Sequence, residues 1–174
     1  MLKSELLYSS RWLSLHRIDH WDYVKRPHSD AAVGILAITD EQEIVLVEQF
    51  RIPMQKRVIE LPAGLVGDEP EFADESLAES AGRELLEETG YAALSIKALL
   101  SSPTSSGMTS ETTHLFWATG LKKVQAGGGV AGEDIFVHLI PVADLRHWLL
   151  AQEQGGKAVD SKIYAALAAA NIRF

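Results

Sequence analysis

Three carboxylates fall within one turn near the end of a predicted helix: Glu84, Glu87 and Glu88. At about 100° per residue they occupy one arc of the helix, and this arc overlaps the edge of the apolar stripe. Carboxylates this close repel one another unless a cation lies between them. Oxygen ligands of this kind suit Mg²⁺, and also Mn²⁺. The three acids therefore indicate a site for a hard metal ion.

The same residues allow a plainer interpretation, in which the acids form a solvated helix end. Negative charge near a helix C-terminus is opposed by the helix dipole. Arg83 would offset part of this cost through contacts at a spacing of four residues, with Glu79 and Glu87. On these residues alone, a metal site and a solvated acidic helix both remain open.

The helix that carries the acids is predicted from about Asp74 to Thr89. Asp74 is expected to be the N-cap, and Gly90 to follow the last turn. Apolar residues spaced three and four apart form the stripe that should face a sheet. They are Leu77, Ala78, Ala81 and Leu85.

The run GLVGDEPEFADESLAESAGRELLEETGY, residues 64–91, resembles the Nudix box. That pattern is Gly, five residues, Glu, seven residues, Arg-Glu, an aliphatic, any residue, Glu-Glu, any residue, Gly and an apolar residue. The matching positions are Glu75, Arg83, Glu84, Leu85, Glu87, Glu88, Gly90 and Tyr91. One departure exists, because ten residues rather than five separate Gly64 from Glu75. We interpret the extra length as a longer loop before an intact helix.

The resemblance to Nudix hydrolases implies a role for each matching position. Glu84 and Glu88 would bind the metal directly, and Glu87 would share a further ion. The Ala63 carbonyl would add a backbone ligand. Arg83 and Glu75 would be mainly structural, through charge-assisted hydrogen bonds. The metal ions would neutralise a diphosphate and position a water, so no nucleophilic side chain is needed.

Two further segments resemble ADP-ribose pyrophosphatases and related nucleoside diphosphate sugar hydrolases. In residues 47–64 the resemblance implies that Arg51 contacts a phosphate or ribose and that Glu60 lies near the base or the metal. In residues 105–116 it makes Glu111 a substrate contact. The alternatives are an ordinary surface arginine, a strand-end glutamate and a loop glutamate.

The segment GVAGEDIFVHLIPV, residues 129–142, resembles the loop and strand that carry the proposed general base in these enzymes. Glu133 is the implied base, on a glycine-rich loop able to close over a substrate. Asp134 could exchange roles with it. The alternative is that both are ordinary solvated loop acids.

The segment WDYVKRP, residues 21–27, resembles one whose tryptophan stacks on the nucleotide base, sometimes from the partner of a dimer. Trp21 is therefore the expected stacking residue and Trp12 a weaker candidate, although tryptophans often serve only in packing. Packing is the role assigned to Trp117 and Trp148. Five histidines lack metal-ligand spacing and are interpreted as structural or surface groups: His16, His20, His114, His138 and His147.

Composition limits the remaining possibilities. With 174 residues, 47% of them hydrophobic, the chain can bury one sizeable core. It has no cysteine, which excludes disulfides, thiolate nucleophiles and cysteine metal sites. A net charge of −8 disfavours nucleic acid as a partner. No apolar run approaches the roughly 20 residues of a membrane span, so we expect a cytoplasmic protein without a membrane partner.

The elements that must hold these residues follow from hydrophobic periodicity. The opening segment, residues 7–27, suits one or two strands. Residues 31–39 and 43–50 are apolar runs that predict a buried hairpin, and residues 57–64 run from a strand into a turn. Later strands are predicted at 94–100, 114–121 and 135–142, and helices at 142–155 and 161–174.

These elements predict a mixed sheet with few helices. The resemblance implies the Nudix α/β/α sandwich, an α/β (α+β) fold, with an N-terminal β extension over residues 1–30 and the hydrolase domain over residues 31–174. It also implies a homodimer. The expected reaction is Mg²⁺-dependent hydrolysis of a nucleoside diphosphate sugar, ADP-ribose giving AMP and ribose 5-phosphate. The alternatives are a GDP-mannose type of sugar nucleotide, a nucleoside triphosphate, or a non-catalytic nucleotide sensor.

Overall fold

A computed structural model describes residues 3–29, 31–67, 70–129, 132 and 134–174. The chain begins with a separate antiparallel sheet of three strands, β1 (Glu5–Ser9), β2 (Ser14–Ile18) and β3 (Trp21–Lys25). The sequence predicted one or two strands here. Asp19, with φ 56°, allows the tight turn that separates β2 from β3. The extension is therefore a small sheet in its own right.

The remaining strands form one mixed sheet in the described part of the chain. They are β4 (Ala31–Ile38), β5 (Glu43–Arg51), β6 (Lys56–Glu60), β7 (Ala63–Leu65), β8 (Tyr91–Pro103), β9 (Thr112–Lys123), β10 (Ile135–Pro141) and β11 (Ala158–Val159). The order is β11-β6-β5-β4-β9-β8, with β10 beside β5 and β7 beside β4. Strand β4 runs parallel to β9 but antiparallel to β7.

The predicted hairpin of β4 and β5 exists only at its tip. These strands pair at Ala37 with Val45 and at Ile38 with Ile44. Beyond that point β4 pairs with β9 and β7, while β5 pairs with β10 and β6. The two strands diverge because each finds other partners along most of its length.

Helix α1 (Leu77–Thr89) begins later than predicted. Ser76, and not Asp74, is the N-cap, and it forms a capping box with Glu79. The side chain of Glu79 is therefore used at the helix start. Among the described residues Arg83 binds Glu75, Glu84 and Glu87, and not Glu79 as expected. At the other end Gly90 adopts φ 75°, as its predicted place after the last turn requires.

The helices cover both faces of the mixed sheet. Ala81 and Leu85 of α1 are fully buried against one face, but Ala78 is exposed, and Ser80 is buried in its place. Helices α2 (Leu145–Gln154) and α3 (Ser161–Ala169) pack on a second cluster, formed by the other face. The result is a layered α/β/α arrangement.

Two of the tryptophans pack as predicted. Trp117 and Trp148 are partly buried against the cluster under α2 and α3. None of the helices in the described ranges is long and apolar enough to cross a membrane.

Candidate active site

A cavity of about 1020 Å³ opens where α1, β6, β7 and the start of α3 meet. Its volume lies at the upper end of the range for small-molecule sites, about 300–1,000 Å³. Among the described residues, eight predicted site residues line it: Arg51, Glu60, Ala63, Arg83, Glu84, Glu87, Glu88 and Glu111. Residues far apart in the sequence thus share one cavity.

The backbone of strand β7 lies against two carboxylates of helix α1, those of Glu84 and Glu88. The backbone N–H of Ala63 donates to Glu88 Oε2 at 3.0 Å. A Cβ at position 64 would lie 2.0 Å from Cδ of Glu84, so Gly64 is the residue that allows this approach. The Glu88 side chain is buried although it carries a carboxylate. Such burial is costly without compensating partners.

Arg83 joins several of these carboxylates. Its Nη1 lies 2.8 Å from Glu84 Oε1 and 3.1 Å from Glu87 Oε2, and its Nε lies 3.1 Å from Glu75 Oε2. Phe72 covers the guanidinium, with its ring centroid 4.2 Å from Cζ. Burial lowers the pKa of Arg83, but Glu84 and Glu75 outweigh this effect and raise it above its ordinary value. Arg83 therefore stays charged and holds the loop before α1 to the helix.

The donor set of this region fits a hard divalent cation. Three carboxylates from one turn of α1 line the cavity, and Gly64 of β7 leaves room for that of Glu84. Within the described ranges no group of three or more His, Cys, Asp or Glu side chains already surrounds a single point. Arg83 accounts for this, since it draws Glu84 and Glu87 toward its guanidinium. A metal ion bound by these acids would add a second counter-charge beside that guanidinium.

Arg51 and Glu60 form an ion pair on the cavity wall. Arg51 Nη2 lies 2.8 Å from Glu60 Oε2, and β5 and β6 hold the two residues on the same face of the sheet. Burial raises the pKa of Glu60, an effect that Arg51 opposes. The pair therefore belongs to the cavity and is not a simple surface contact.

Sequence reasoning missed two residues beside this pair, Asp160 and Lys162. Asp160 is the N-cap of α3, and its side chain binds both the backbone N–H and the ammonium of Lys162. The Asp-Ser-Lys run before an apolar helix was the available signal for a cap. Nothing in it indicated that the cap faces a cavity.

A third missed residue, Arg26, pairs with the predicted Glu111. Arg26 Nε donates to Glu111 Oε2 at 2.6 Å, and Thr104 Oγ1 donates to Glu111 Oε1 at 3.2 Å. Arg26, Thr104 and Glu111 all line the cavity. Glu111 thus links the end of the N-terminal sheet to the β8–β9 loop.

The tryptophans of the N-terminal sheet lie elsewhere. Trp21 is not among the described residues that line the cavity, and its Nε1 donates to the carbonyl of Gly107 at 3.0 Å. It is exposed, as is Trp12, whose ring is covered by Arg11 at 4.1 Å from the centroid. Within one chain, Trp21 attaches the sheet to the β8–β9 loop.

The predicted general base, Glu133, lies outside the described residues. Its neighbour Asp134 forms an ion pair with Arg57, which also approaches the buried Glu48 at 3.5 Å. His138 and Lys157 bind the same Glu48 at 2.9 and 2.7 Å. Glu48, Arg57, His138 and Lys157 form a network of hydrogen bonds and ion pairs on the α2 side of β5. It gives His138 the structural role expected from the sequence.

Comparison with known proteins agrees with this geometry. A family model described as the NUDIX domain matches residues 28–167. The chain is 37% identical over 150 residues to a methanol dehydrogenase activator of Bacillus methanolicus, covering 80% of this chain and 75% of that protein. It is 38% identical over 123 residues to an ADP-ribose pyrophosphatase of Bacillus subtilis, covering 70% of this chain and 60% of that protein.

The chain is also similar to a relative with a different named substrate and to a solved structure. A GDP-mannose pyrophosphatase of Enterobacter sp. is 34% identical over 140 residues, covering 75% of this chain and 70% of that protein. The crystal structure of an ADP compounds hydrolase superposes with a TM-score of 0.68 at 22% identity, over 84% of this chain and 81% of the other. This likeness confirms the predicted fold class. The matched domain, the identities and the layered fold agree, so the chain belongs to the Nudix hydrolase family.

Proposed function

We propose that the chain hydrolyses the diphosphate linkage of a nucleoside diphosphate sugar in a Mg²⁺-dependent reaction, with ADP-ribose giving AMP and ribose 5-phosphate. The observation that carries this proposal is the approach of Glu84 and Glu88 to the backbone of Gly64 and Ala63 inside a large cavity. The similarity to ADP-ribose pyrophosphatases supports the choice of substrate.

Glu84, Glu87, Glu88 and the Ala63 carbonyl would hold the metal. When bound, Mg²⁺ supplies charge neutralisation for the diphosphate and lowers the pKa of a bound water. Arg83 keeps the acids together and ties Glu75 to the helix. Glu133 remains the proposed general base. Asp134 is the weaker choice, because its carboxylate is engaged by Arg57.

A second substrate, GDP-mannose, rests on the similarity to GDP-mannose pyrophosphatases. A function of another class, a non-catalytic nucleotide sensor, rests on the similarity to a methanol dehydrogenase activator, a protein named for its effect on another enzyme. A nucleotide sensor of that class would not need the full acidic set of α1. The intact acids favour hydrolysis.

We also propose a homodimer. The N-terminal sheet leaves large apolar side chains exposed, among them Leu6, Tyr8, Trp12 and Trp21. Exposed apolar groups in this number on one small sheet favour contact with a second copy. In such a dimer Trp21 could stack on a base in the partner's cavity. A cytoplasmic location stays a prediction from the sequence.

The test is product release from ADP-ribose, GDP-mannose, other sugar nucleotides and nucleoside triphosphates, with and without Mg²⁺. Glu84→Gln should lower kcat by orders of magnitude with the fold intact. Glu153→Gln removes an exposed acid of α2 outside the cavity and should leave kcat unchanged. Near-normal turnover by Glu84→Gln at saturating Mg²⁺ would refute the role of Glu84. Tight nucleotide binding without turnover by the unmodified protein would favour the sensor.

A further inference from the structure

Three cations of the cavity share one arrangement. Each forms an ion pair with a carboxylate that is less exposed than the cation itself. The pairs are Arg26 with Glu111, Arg51 with Glu60 and Lys162 with Asp160. The cations expose 41%, 41% and 31% of their side-chain surface, and the carboxylates 14%, 10% and 16%. In each pair the carboxylate orients a cation that faces the cavity.

The start of α3 is tied to the strand that carries Glu60. The backbone N–H of Asp160 donates to the carbonyl of Ile59 at 2.9 Å, and Val159 of β11 pairs with Ile59 of β6. Asp160 then accepts from the backbone N–H of Lys162 at 2.7 Å while its other oxygen binds the ammonium. Lys162 is thereby held in the same cavity as Glu60 and close enough for its charge to lower the pKa of that carboxyl.

The charges around the cavity create a need for these cations. Seven of the lining residues that the structure describes are acidic: Glu60, Glu71, Glu84, Glu87, Glu88, Glu111 and Asp160. Among the described lining residues the cations are Arg26, Arg51, Arg83 and Lys162. Arg83 is already paired with three carboxylates, those of Glu75, Glu84 and Glu87. The positive charge that a substrate with two phosphates needs must therefore come from the other cations of the cavity, Arg26, Arg51 and Lys162.

We infer that Lys162 is a substrate-binding residue, whose ammonium, held in place by Asp160, binds a phosphate oxygen of the diphosphate next to Arg51. This inference rests on the proposed function. An ammonium is a compact point charge with three donors, which suits a phosphate oxygen. Asp160 is a positioning residue, since it contacts Lys162 and the helix start. Apolar residues of the same wall, Val58 and Val159, leave the nucleoside or the sugar a surface on which to lie.

The test measures ADP-ribose binding by calorimetry in EDTA, where a metal-dependent hydrolase does not consume its ligand. Lys162→Met should weaken binding roughly 10- to 100-fold, the range for loss of a hydrogen bond to a charged group. Lys162→Arg should stay within about threefold of the unmodified protein, because it retains the charge. In Mg²⁺, Lys162→Met should raise KM by a similar factor and change kcat much less.

Lys157→Met is the matched control. Lys157 exposes 30% of its side chain and pairs with the buried Glu48 at 2.7 Å, but it is not among the described residues that line the cavity. It should bind ADP-ribose as the unmodified protein does. Thermal unfolding of each variant checks the fold. Lys162→Met retains the Asp160 cap, because that bond goes to a backbone N–H.

The outcomes separate this inference from the proposed function. Equal affinity of Lys162→Met and the unmodified protein would overturn the inference, whatever the catalytic result. Binding of ADP-ribose without hydrolysis of any sugar nucleotide would overturn the proposed function, while the ratio of dissociation constants would still decide the role of Lys162. A loss of affinity that Lys157→Met shares would also count against Lys162.

Discussion

The backbone of Gly64 lies against the carboxylate of Glu84, so closely that a Cβ at position 64 would be 2.0 Å from Cδ of Glu84. Gly64→Ala must therefore displace the Glu84 side chain. We expect kcat to fall about 100-fold, since misplacement of a reacting group by about 1 Å costs this much. Steady-state kinetics in Mg²⁺ measures it.

Gly107→Ala is the control for that substitution. A Cβ at Gly107 would approach Trp21 no closer than 3.9 Å, an ordinary contact. Its kcat should match that of the unmodified protein. Full activity of Gly64→Ala would show that Glu84 can work from another position.

The start of α1 gives a stability prediction. Ser76→Ala removes the side chain that accepts from the backbone N–H of Glu79, so we expect a loss of about 1 kcal/mol in the free energy of unfolding. Asp74→Ala should change it by less than about 0.5 kcal/mol, because Asp74 is exposed and is not the cap. Urea unfolding at pH 7 measures both. A larger loss from Asp74→Ala would return the cap to the residue predicted from the sequence.

The interactions of Glu48 should make the free energy of unfolding depend on pH. Burial raises the pKa of Glu48, but hydrogen bonds from Lys157 and His138 outweigh it and hold the pKa below its ordinary 4.5. A carboxylate with a lowered pKa in the folded state contributes stability above pH 4.5, and this contribution is lost as the pH falls through the folded pKa.

Glu48→Gln tests that dependence. At pH 7 it should cost about 1.5–3 kcal/mol, because it replaces the charge of a buried carboxylate that binds partly exposed cations. The difference from the unmodified protein should shrink below pH 4.5. Urea unfolding between pH 7 and 3.5 measures it, with Glu41→Gln, an exposed acid, as control. A difference that stays constant with pH would show that Glu48 contributes by packing alone.

Trp21 separates two roles. Trp21→Phe keeps an aromatic ring but loses the hydrogen bond to Gly107. Loss of this hydrogen bond alone predicts a loss of about 0.5–1 kcal/mol in the free energy of unfolding with KM unchanged. Stacking across the proposed dimer predicts in addition a higher KM, because a phenyl ring offers less area than an indole. Trp12→Phe should change neither. A rise in KM for Trp21→Phe would support base stacking, as expected from the sequence, and would point to the cavity of a second copy.

The acidic helix and its surroundings could be predicted because their signals are local. The matching positions from Glu75 to Gly90 span 16 residues, and most of them lie in the single helix α1. The predicted N-cap was wrong because Asp74 and Ser76 are both good capping residues, and only the backbone distinguishes them. Propensity cannot decide between two such neighbours.

Arg26 and Lys162 could not be predicted for a different reason. They reach the cavity from opposite ends of the chain, after β3 and at the start of α3. Their places depend on long-range pairings, such as that of β11 with β6. The divergence of β4 from β5 has the same origin, since partners distant in the sequence compete with the local hairpin.

The hydrogen bonds of the N-terminal sheet decide which residues must be moved together when this domain is joined to part of a relative. The family match begins at residue 28, yet Arg26 contributes a cation to the cavity, and Trp21 and Val24 bind the β8–β9 loop at Gly107 and Met108. Consider a chimaera that joined residues 28–167 to the N-terminal segment of a relative. It would keep all the acids of α1, but the part of the cavity lined by Arg26 would come from the relative. Such a chimaera would lose Arg26 from the cavity and the hydrogen bonds of Trp21 and Val24 to the β8–β9 loop. A transplant of this enzyme therefore has to include the small sheet.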